Sequence, residues 1–154
     1  MDYSMLENQC RSLLETELHP LPALANTAAL LYEIMEDLNW AGFYLMENGS
    51  LMLGPFQGKT ACIRIPVGRG VCGTAVAEDR AVLVEDVHQF PGHIACDSNS
   101  NAELVLPIHH GGQVIGVLDL DSPVPGRFLP EDLDGLMCIV SLLENMVEWG
   151  RWKL

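Results

Sequence analysis

Basic residues are scarce in this 154-residue sequence, and their scarcity excludes two classes of binding partner. Eight Lys and Arg stand against 21 Asp and Glu, which gives a formal net charge of -13. A field of that sign repels the phosphate backbone of nucleic acids and the anionic headgroups of membranes. We therefore expect no nucleic acid and no membrane among the partners of this protein.

Long apolar runs are also missing. No run approaches the ~20 residues needed to cross a bilayer, and the N-terminus is acidic where a secretory signal would be basic. The sequence therefore predicts a cytoplasmic protein. With 49% hydrophobic and 19% charged residues, the composition is that of a folded domain, and we expect a single domain over residues 1–154.

The cysteines lack the spacing of a metal site or of an extracellular disulfide framework. They form an odd set without a Cys-x-x-Cys pair, at positions 10, 62, 72, 96 and 138. His88, His93 and Cys96 share one segment, but no second cluster completes four ligands, so no metal is expected. Arg64 and Arg69 are likewise too few to cradle a phosphate. The thiols are expected to be reduced at rest.

Three stretches have the apolar periodicity of amphipathic helices, namely residues 4–18, 23–38 and 130–149. Pro130 suits the first position of the last helix. A shorter helix is expected over the small residues Gly70 to Glu78. Cys10 and Cys138 fall among apolar neighbours on the long helices, which predicts that both are buried and unreactive.

Strand-like runs fill the space between these helices, over residues 40–46, 50–56, 61–66, 81–85, 103–108 and 113–119. Asn48-Gly49 indicates a tight hairpin between the first two runs. Residues 109–112 are expected to form a solvated four-residue turn between the last two. Terminal helices that enclose an antiparallel sheet make an α+β domain, and one face of that sheet stays free for a pocket.

A polar, irregular segment over residues 86–101 is a candidate for function, because long loops in small domains commonly carry it. It contains Cys96. Cys72 is a second candidate, since it lies in the first turn of the short helix beside Arg69, and a helix N-terminus and a cation both lower a thiol pKa. The residues alone nominate Cys72 as readily as Cys96.

Three acids lie near the open end of the last predicted hairpin: Glu103, Asp119 and Asp121. Pairing of Ile108 with Gln113 brings them into one patch. Crowding raises the pKa of at least one carboxyl, which supplies a general acid near neutral pH, and the remaining charge suits a ligand ammonium. The alternative is an exposed acidic hairpin end in an acidic protein.

The first predicted strand carries three aromatic residues, Trp40, Phe43 and Tyr44. Such residues usually belong to the core. Strand alternation nevertheless turns either Phe43 or Tyr44 away from it.

Several long motifs resemble one known family. They are Leu-Asn-Trp-Ala-Gly-Phe-Tyr (38–44), Leu-Gly-Pro-Phe-Gln-Gly-Lys (53–59), Arg-Ile-Pro-Val-Gly-Arg-Gly-Val-Cys-Gly-Thr-Ala (64–75), Gly-His-Ile-Ala-Cys-Asp (92–97) and Gly-Val-Leu-Asp-Leu-Asp-Ser (116–122). The sequence resembles the free methionine-(R)-sulfoxide reductases, which are single GAF-domain enzymes. This resemblance implies a six-stranded antiparallel sheet with the terminal helices on one face and the ligand pocket on the other.

The same resemblance assigns roles to residues. Cys96 matches the catalytic cysteine, which overrides the argument for Cys72 as the nucleophile. Cys62 and Cys72 match the other motif cysteines, and we favour Cys62 as the thiol that resolves the intermediate, with Cys72 as the alternative or a relay. Positions that match the substrate pocket are Glu103, Asp119, Asp121, Trp40 and Tyr44.

Two departures from the family pattern lie near the C-terminus. Leu129 stands where a Ser or Thr helix cap is usual, and residues 149–154 form an unusual tail. Both bear on stability or assembly.

The implied reaction is thiol-dependent reduction of free methionine-(R)-sulfoxide through a Cys96 sulfenic acid and an intramolecular disulfide. A thioredoxin-like dithiol would recycle the disulfide, and no cofactor is implied. The terminal helices favour a homodimer. Two alternatives are a GAF sensor that binds a small ligand without turnover and a thiol switch that responds to peroxide.

Overall fold

Six antiparallel strands form the sheet in the computed structural model, which describes residues 1–152. They are β1 (Trp40–Glu47), β2 (Ser50–Gly58), β3 (Arg64–Pro66), β4 (Val82–Val84), β5 (Ala102–His110) and β6 (Gln113–Ser122). Their spatial order is β3-β2-β1-β6-β5-β4. The predicted α+β, GAF-like architecture is confirmed.

Four α-helices accompany the sheet: α1 (Tyr3–Thr16), α2 (Pro20–Ile34), α3 (Gly70–Glu78) and α4 (Pro130–Met146). α2 begins three residues earlier than predicted, because His19 caps it by accepting a hydrogen bond from the Leu21 amide through Nδ1. α4 ends early, since Val147 is extended and residues 149–151 form a short 3-10 turn. The rest of the unusual tail, residues 153–154, lies outside the described residues. Within residues 1–152, no helix has both the length and the apolarity to cross a membrane.

The two faces of the sheet bury different layers. Phe43, Leu104 and Leu118 belong to the core beneath α1, α2 and α4, whereas Tyr44 and Val105 belong to a second apolar cluster that includes residues of α3. Alternate residues of a strand point to opposite faces, so Phe43 and Tyr44 separate as predicted. The site described below lies on the α3 face.

One prediction for the helical cysteines is wrong. Cys10 is buried, but Cys138 is exposed on α4. The buried stripe of α4 runs through Leu136, Ile139 and Leu143, and Cys138 lies beside it. Met137, the residue before Cys138, is also exposed.

The β5–β6 hairpin has a tighter turn than predicted. Gly111 and Gly112 adopt φ values of +61° and +77°, so His110 pairs with Gln113 across a two-residue turn. A register shift after Ile108 then pairs Ile108 with Gly116.

His109 is consequently part of β5, and the expectation of a solvated turn is wrong for it. Its ring contacts Glu144 and Asp79.

Candidate active site

Three carboxyl groups lie together on the α3 face of the sheet. Glu103 pairs directly with Asp121 across β5 and β6. Asp119 lies two residues before Asp121 on β6 and therefore on the same face of the sheet. The register predicted from a four-residue turn would have placed Glu103 opposite Leu118, so the corrected register is what puts all three on one face. Glu103, Asp119 and Asp121 are 6%, 5% and 9% exposed, which excludes the exposed hairpin end.

No basic side chain neutralises this carboxyl cluster. Within residues 1–152, no lysine or arginine forms an ion pair with any of its three members. His93 is the nearby basic group, with Nε2 4.0 Å from Oε1 of Glu103, and its own burial lowers its pKa. Oδ1 of Asp119 is buried and accepts no hydrogen bond. A buried acceptor without a donor is a place for a ligand donor.

Burial raises the pKa of all three carboxyls, and the negative charge of Asp119 adds to this effect at Glu103 and Asp121. Three neighbours, Glu103, Cys72 and Asp121, act in the opposite direction on the pKa of Asp119. The pKa of Asp119 is therefore raised less than those of Glu103 and Asp121, which favours Asp119 as the first of the three to ionise. Once it does so, one anion and two acid groups share the site.

Two of the predicted cysteines are joined. Cys62 and Cys96 form a disulfide with a Cα–Cα separation of 5.5 Å. Cys62 precedes β3, and Cys96 lies in the irregular segment between β4 and β5. The thiols are therefore not all reduced in this structure, contrary to the resting state expected from the sequence.

Cys72 lies on α3 and is buried against the carboxyl cluster. Its Sγ is 3.9 Å from Oε2 of Glu103. Burial raises its pKa well above the ordinary value, and the charges of Asp119 and Glu103 raise it further. The prediction that the helix N-terminus and Arg69 lower this pKa is wrong, because Arg69 is exposed while the carboxyls are adjacent.

Trp40 and Tyr44 support the segment that carries Cys62. Trp40 Nε1 donates to the carbonyl of Lys59 over 3.2 Å, and the Tyr44 hydroxyl donates to the carbonyl of Cys62 over 3.0 Å. Their rings stack with centroids 5.8 Å apart. The two aromatic residues thus form one wall of the site and position one of its sulfur atoms.

The Cys96 segment closes the site from the other side. Ile94 packs over Gly70, where a Cβ atom would lie 3.2 Å from Ile94 Cγ1. Asn39 Nδ2 donates to Asp97 Oδ2 and to Ser100 Oγ, each over 3.0 Å, so it anchors the chain on the far side of Cys96.

A cavity of about 40 Å³ lies between these walls. It has room for about three water molecules. All eight residues predicted from the sequence contribute to the site, and seven of them line the cavity: Cys96, Cys72, Glu103, Asp119, Asp121, Trp40 and Tyr44. Cys62 reaches it through the disulfide.

Asn39, Ser100 and Ile94 were missed by the sequence analysis, and His93 was considered there only as a metal ligand. Asn39 was the one that the sequence could most readily have indicated, because it is a polar residue inside the Leu38–Tyr44 motif, directly before a buried strand. The contacts of Ser100 and Ile94 depend on the path of an irregular loop, which no periodicity indicates.

Comparison with known proteins places this chain in a family. Residues 18–147 match the GAF domain family. The free methionine-R-sulfoxide reductase of Escherichia coli (strain K12) is 57% identical over 98% of this chain and 92% of its own length.

Solved structures agree. The reduced form of fRMsr of Staphylococcus aureus is 50% identical, has a TM-score of 0.92 and is matched over 95% of both chains. The free methionine-R-sulfoxide reductase from Neisseria meningitidis in complex with its substrate is 43% identical, with a TM-score of 0.93 over 97% of this chain and 90% of that one. The resemblance noted in the motifs is confirmed, and this chain belongs to the free methionine-R-sulfoxide reductases within the GAF domain family.

Proposed function

We propose that this protein reduces free L-methionine-(R)-sulfoxide to methionine. The observation that carries the proposal is the joint presence, in one cavity, of a cysteine pair able to form a disulfide and of buried carboxyls without a cation. A binding module has no need of the first feature, and a peroxide switch has no need of the second.

The carboxyl cluster accounts for recognition of the free amino acid. An ionised Asp119 with an unpartnered oxygen offers a buried contact for the substrate ammonium. A peptide bond would remove that positive charge and add bulk where Trp40 and Tyr44 stack. We therefore expect the enzyme to act on free methionine sulfoxide and to reject the same group in a peptide.

Reduction begins with attack of the Cys96 thiolate on the sulfoxide sulfur. A protonated carboxyl, Glu103 or Asp121, donates a proton to the sulfoxide oxygen as the S–O bond breaks. The oxygen is transferred to Cys96, which becomes a sulfenic acid, and the substrate sulfur leaves as the thioether of methionine. The raised pKa of Glu103 and Asp121 keeps the required proton available near neutral pH.

Resolution uses a second thiol. The Cys62 thiol condenses with the Cys96 sulfenic acid, which forms the S–S bond and releases water. The Cys62–Cys96 disulfide supports Cys62 as the resolving residue. A thioredoxin-like dithiol then reduces the disulfide, directly or through Cys72, which implies work in a reducing cytoplasm.

The disulfide also ties the Cys96 segment across the cavity. Reduction frees that segment, and we expect the roughly 40 Å³ cavity to enlarge before substrate enters.

Assembly as a homodimer through the terminal helices is part of the proposal, because Met5 on α1 and Met137 on α4 are 58% and 54% exposed. Light scattering during size-exclusion chromatography tests it, and a monomeric mass at micromolar concentration rejects it.

The decisive assay measures methionine released from separated R and S epimers of free methionine sulfoxide, with dithiothreitol or thioredoxin as reductant. We expect turnover of the R epimer and little of the S epimer or of N-acetylated substrate. Cys138→Ser is the matched control, since its thiol lies on α4 away from the cavity. Equal inactivity of the fully reduced protein toward both epimers rejects the reductase and favours the sensor.

A single-turnover experiment without external reductant assigns the cysteines. Pre-reduced Cys62→Ser should still release about one methionine per chain, because Cys96 is the only cysteine that the first step uses. Cys96→Ser should release none, since a serine hydroxyl lacks a usable anion at neutral pH. A full burst from Cys96→Ser together with its loss in Cys72→Ser would make Cys72 the nucleophile.

A further inference from the structure

Cys72, Glu103 and Asp119 offer a set of ligand atoms that also fits a metal ion, beyond the roles given to these residues in the proposed reduction. One sulfur and two carboxylate oxygens lie within 4.8 Å of one another, and all three residues are buried. Sulfur together with oxygen is the donor set of a borderline or soft divalent ion.

The spacing is close to that of a tetrahedral metal site. Metal–sulfur and metal–oxygen distances of about 2.3 and 2.1 Å place sulfur and oxygen ligands ~3.6 Å apart. Cys72 Sγ and Glu103 Oε2 are already 3.9 Å apart, so rotamer adjustments of a few tenths of an ångström bring these two ligands to the required separation.

A second observation points to a ligand at the same place. Asp119 is 5% exposed, and its Oδ1 has no hydrogen-bond partner in the described part of the chain. A buried carboxylate oxygen of this kind is stabilised by a cation. Thr60 and Arg69, which line the same cavity, are exposed, so the site is open to small ions.

We propose that Cys72, Glu103 and Asp119 bind a thiophilic divalent cation, Zn²⁺ or Cd²⁺, and that this ion inhibits the enzyme by occupying the position of the substrate ammonium. The inhibitory part rests on the proposed function, whereas the binding part does not. Three protein ligands leave the fourth position to water.

Binding involves proton release and no redox change. The Cys72 thiol gives its proton to solvent as the sulfur–metal bond forms, and any protonated carboxyl of the set does the same. The sulfur ligand gives the site its selectivity, because Mg²⁺ and Ca²⁺ prefer oxygen ligands alone. These two ions should therefore not compete at millimolar concentration.

The test uses the oxidised full chain, in which Cys62 and Cys96 are tied in their disulfide and cannot ligate a metal. Cd²⁺ is added while the ultraviolet thiolate-to-cadmium charge-transfer band is recorded, and stoichiometry is measured by equilibrium dialysis. We expect one Cd²⁺ per chain and a band that Zn²⁺ suppresses and Mg²⁺ does not.

Matched variants locate the ion. Cys72→Ser should abolish the band, and Glu103→Gln or Asp119→Asn should weaken binding by about tenfold or more. Cys138→Ser and Glu131→Gln, at exposed positions of α4, should leave binding unchanged. Cys10 is a poor competitor, because burial raises its pKa to about 11. The two carboxyl variants still decide the question if Cys72→Ser fails to fold.

Two results would overturn the inference: no band in the oxidised wild-type chain, or a band that persists in Cys72→Ser. Zn²⁺ should also raise the apparent KM for methionine sulfoxide reversibly, with recovery on chelation. An active reductase without the cadmium band refutes only the metal site. A band that depends on Cys72 in a protein without reductase activity refutes only the proposed function.

Discussion

Two places within residues 1–152 bury acidic side chains, and the two differ in how the charge is compensated. Asp132, near the start of α4, is 6% exposed. The three members of the carboxyl cluster are 5–9% exposed, so they are buried to about the same degree. Equal burial makes the two places comparable, so their difference lies in their partners.

Asp132 is fully provided with donors. One of its carboxylate oxygens accepts from the Tyr3 hydroxyl, and the other accepts from the Leu129 amide over 2.8 Å and from Arg127 over 3.3 Å. Gly135 leaves room for the Tyr3 ring, since a Cβ there would lie 2.2 Å from it. Leu129 stands at the cap position of α4 without a Ser or Thr hydroxyl, and its amide is satisfied by Asp132 from within the helix. The Asp132 site joins α1, α4 and the preceding loop.

The carboxyl cluster has the same burial without those donors. Three acids lie around Cys72, and Oδ1 of Asp119 has no hydrogen-bond donor among the described residues. Such a site lowers stability, and proteins retain this cost where function requires it. The comparison teaches that the partners of a buried acid, more than its burial, distinguish a structural role from a binding role.

The largest effect is expected from Asp119→Asn. Loss of the anion removes the ammonium contact and disturbs proton donation by its neighbours, so kcat/KM should fall by about 10²–10⁴. The folded protein should persist with unchanged or higher stability, measured by urea unfolding. Unaltered kinetics would show that the unpaired oxygen has no role in substrate binding and would break the comparison.

The converse is expected for Asp132→Ala. This change leaves Arg127 and the Leu129 amide without their acceptor, and breaking a buried pair of this kind costs about 3–5 kcal/mol. The urea midpoint should fall accordingly, while kcat/KM per folded molecule stays at the wild-type value. A stability loss below ~1 kcal/mol would contradict the structural role.

The sequence was sufficient to predict the layers, and the residues that it nominated for the site lie together around one cavity. Apolar spacing located the three long helices, and Asn48-Gly49 located the first hairpin. The short helix over Gly70–Glu78 was predicted at its observed bounds. These features depend on residues close together in sequence, so local sequence patterns were enough to predict them.

The predictions that were wrong concerned features set by residues distant in sequence or by contacts with other elements. The bulge after Ile108 changes which residue faces Glu103, and no propensity encodes it. The direction of the Cys72 pKa was inferred from a helix terminus, while the carboxyls that reverse it come from strands about 30 to 50 residues away. Cys138 shows that an apolar neighbourhood in sequence is not burial.

A smaller effect sharpens the comparison through pH. Burial raises the pKa of Glu103, so the folded state holds this proton more tightly than the unfolded state does. The stability it contributes is therefore complete below the unfolded pKa of about 4.3 and is lost as pH rises through the folded pKa. Glu103→Gln removes this dependence and should gain about 1 kcal/mol or more over wild type at pH 8 relative to pH 4.5. If the difference in urea midpoint between wild type and Glu103→Gln did not change with pH, Glu103 would not be a buried acid that lacks compensating donors.

The smallest effect belongs to an exposed counterpart of these sites. His109 contacts Asp79 and Glu144, and the Asp79 hydrogen bond is the main cause that raises its pKa. The His109 side chain is 37% exposed, so solvent screening limits the contribution to below ~0.5 kcal/mol. That stability is complete below the unfolded pKa of about 6.5 and is lost as pH rises through the raised folded pKa. His109→Gln should therefore cost slightly more at pH 6 than at pH 9, and 0.5 M salt should reduce the difference while leaving the Glu103 effect in place, because buried groups are screened much less. Equal salt sensitivity at both positions would mean that the carboxyl cluster is as exposed to solvent as this surface contact.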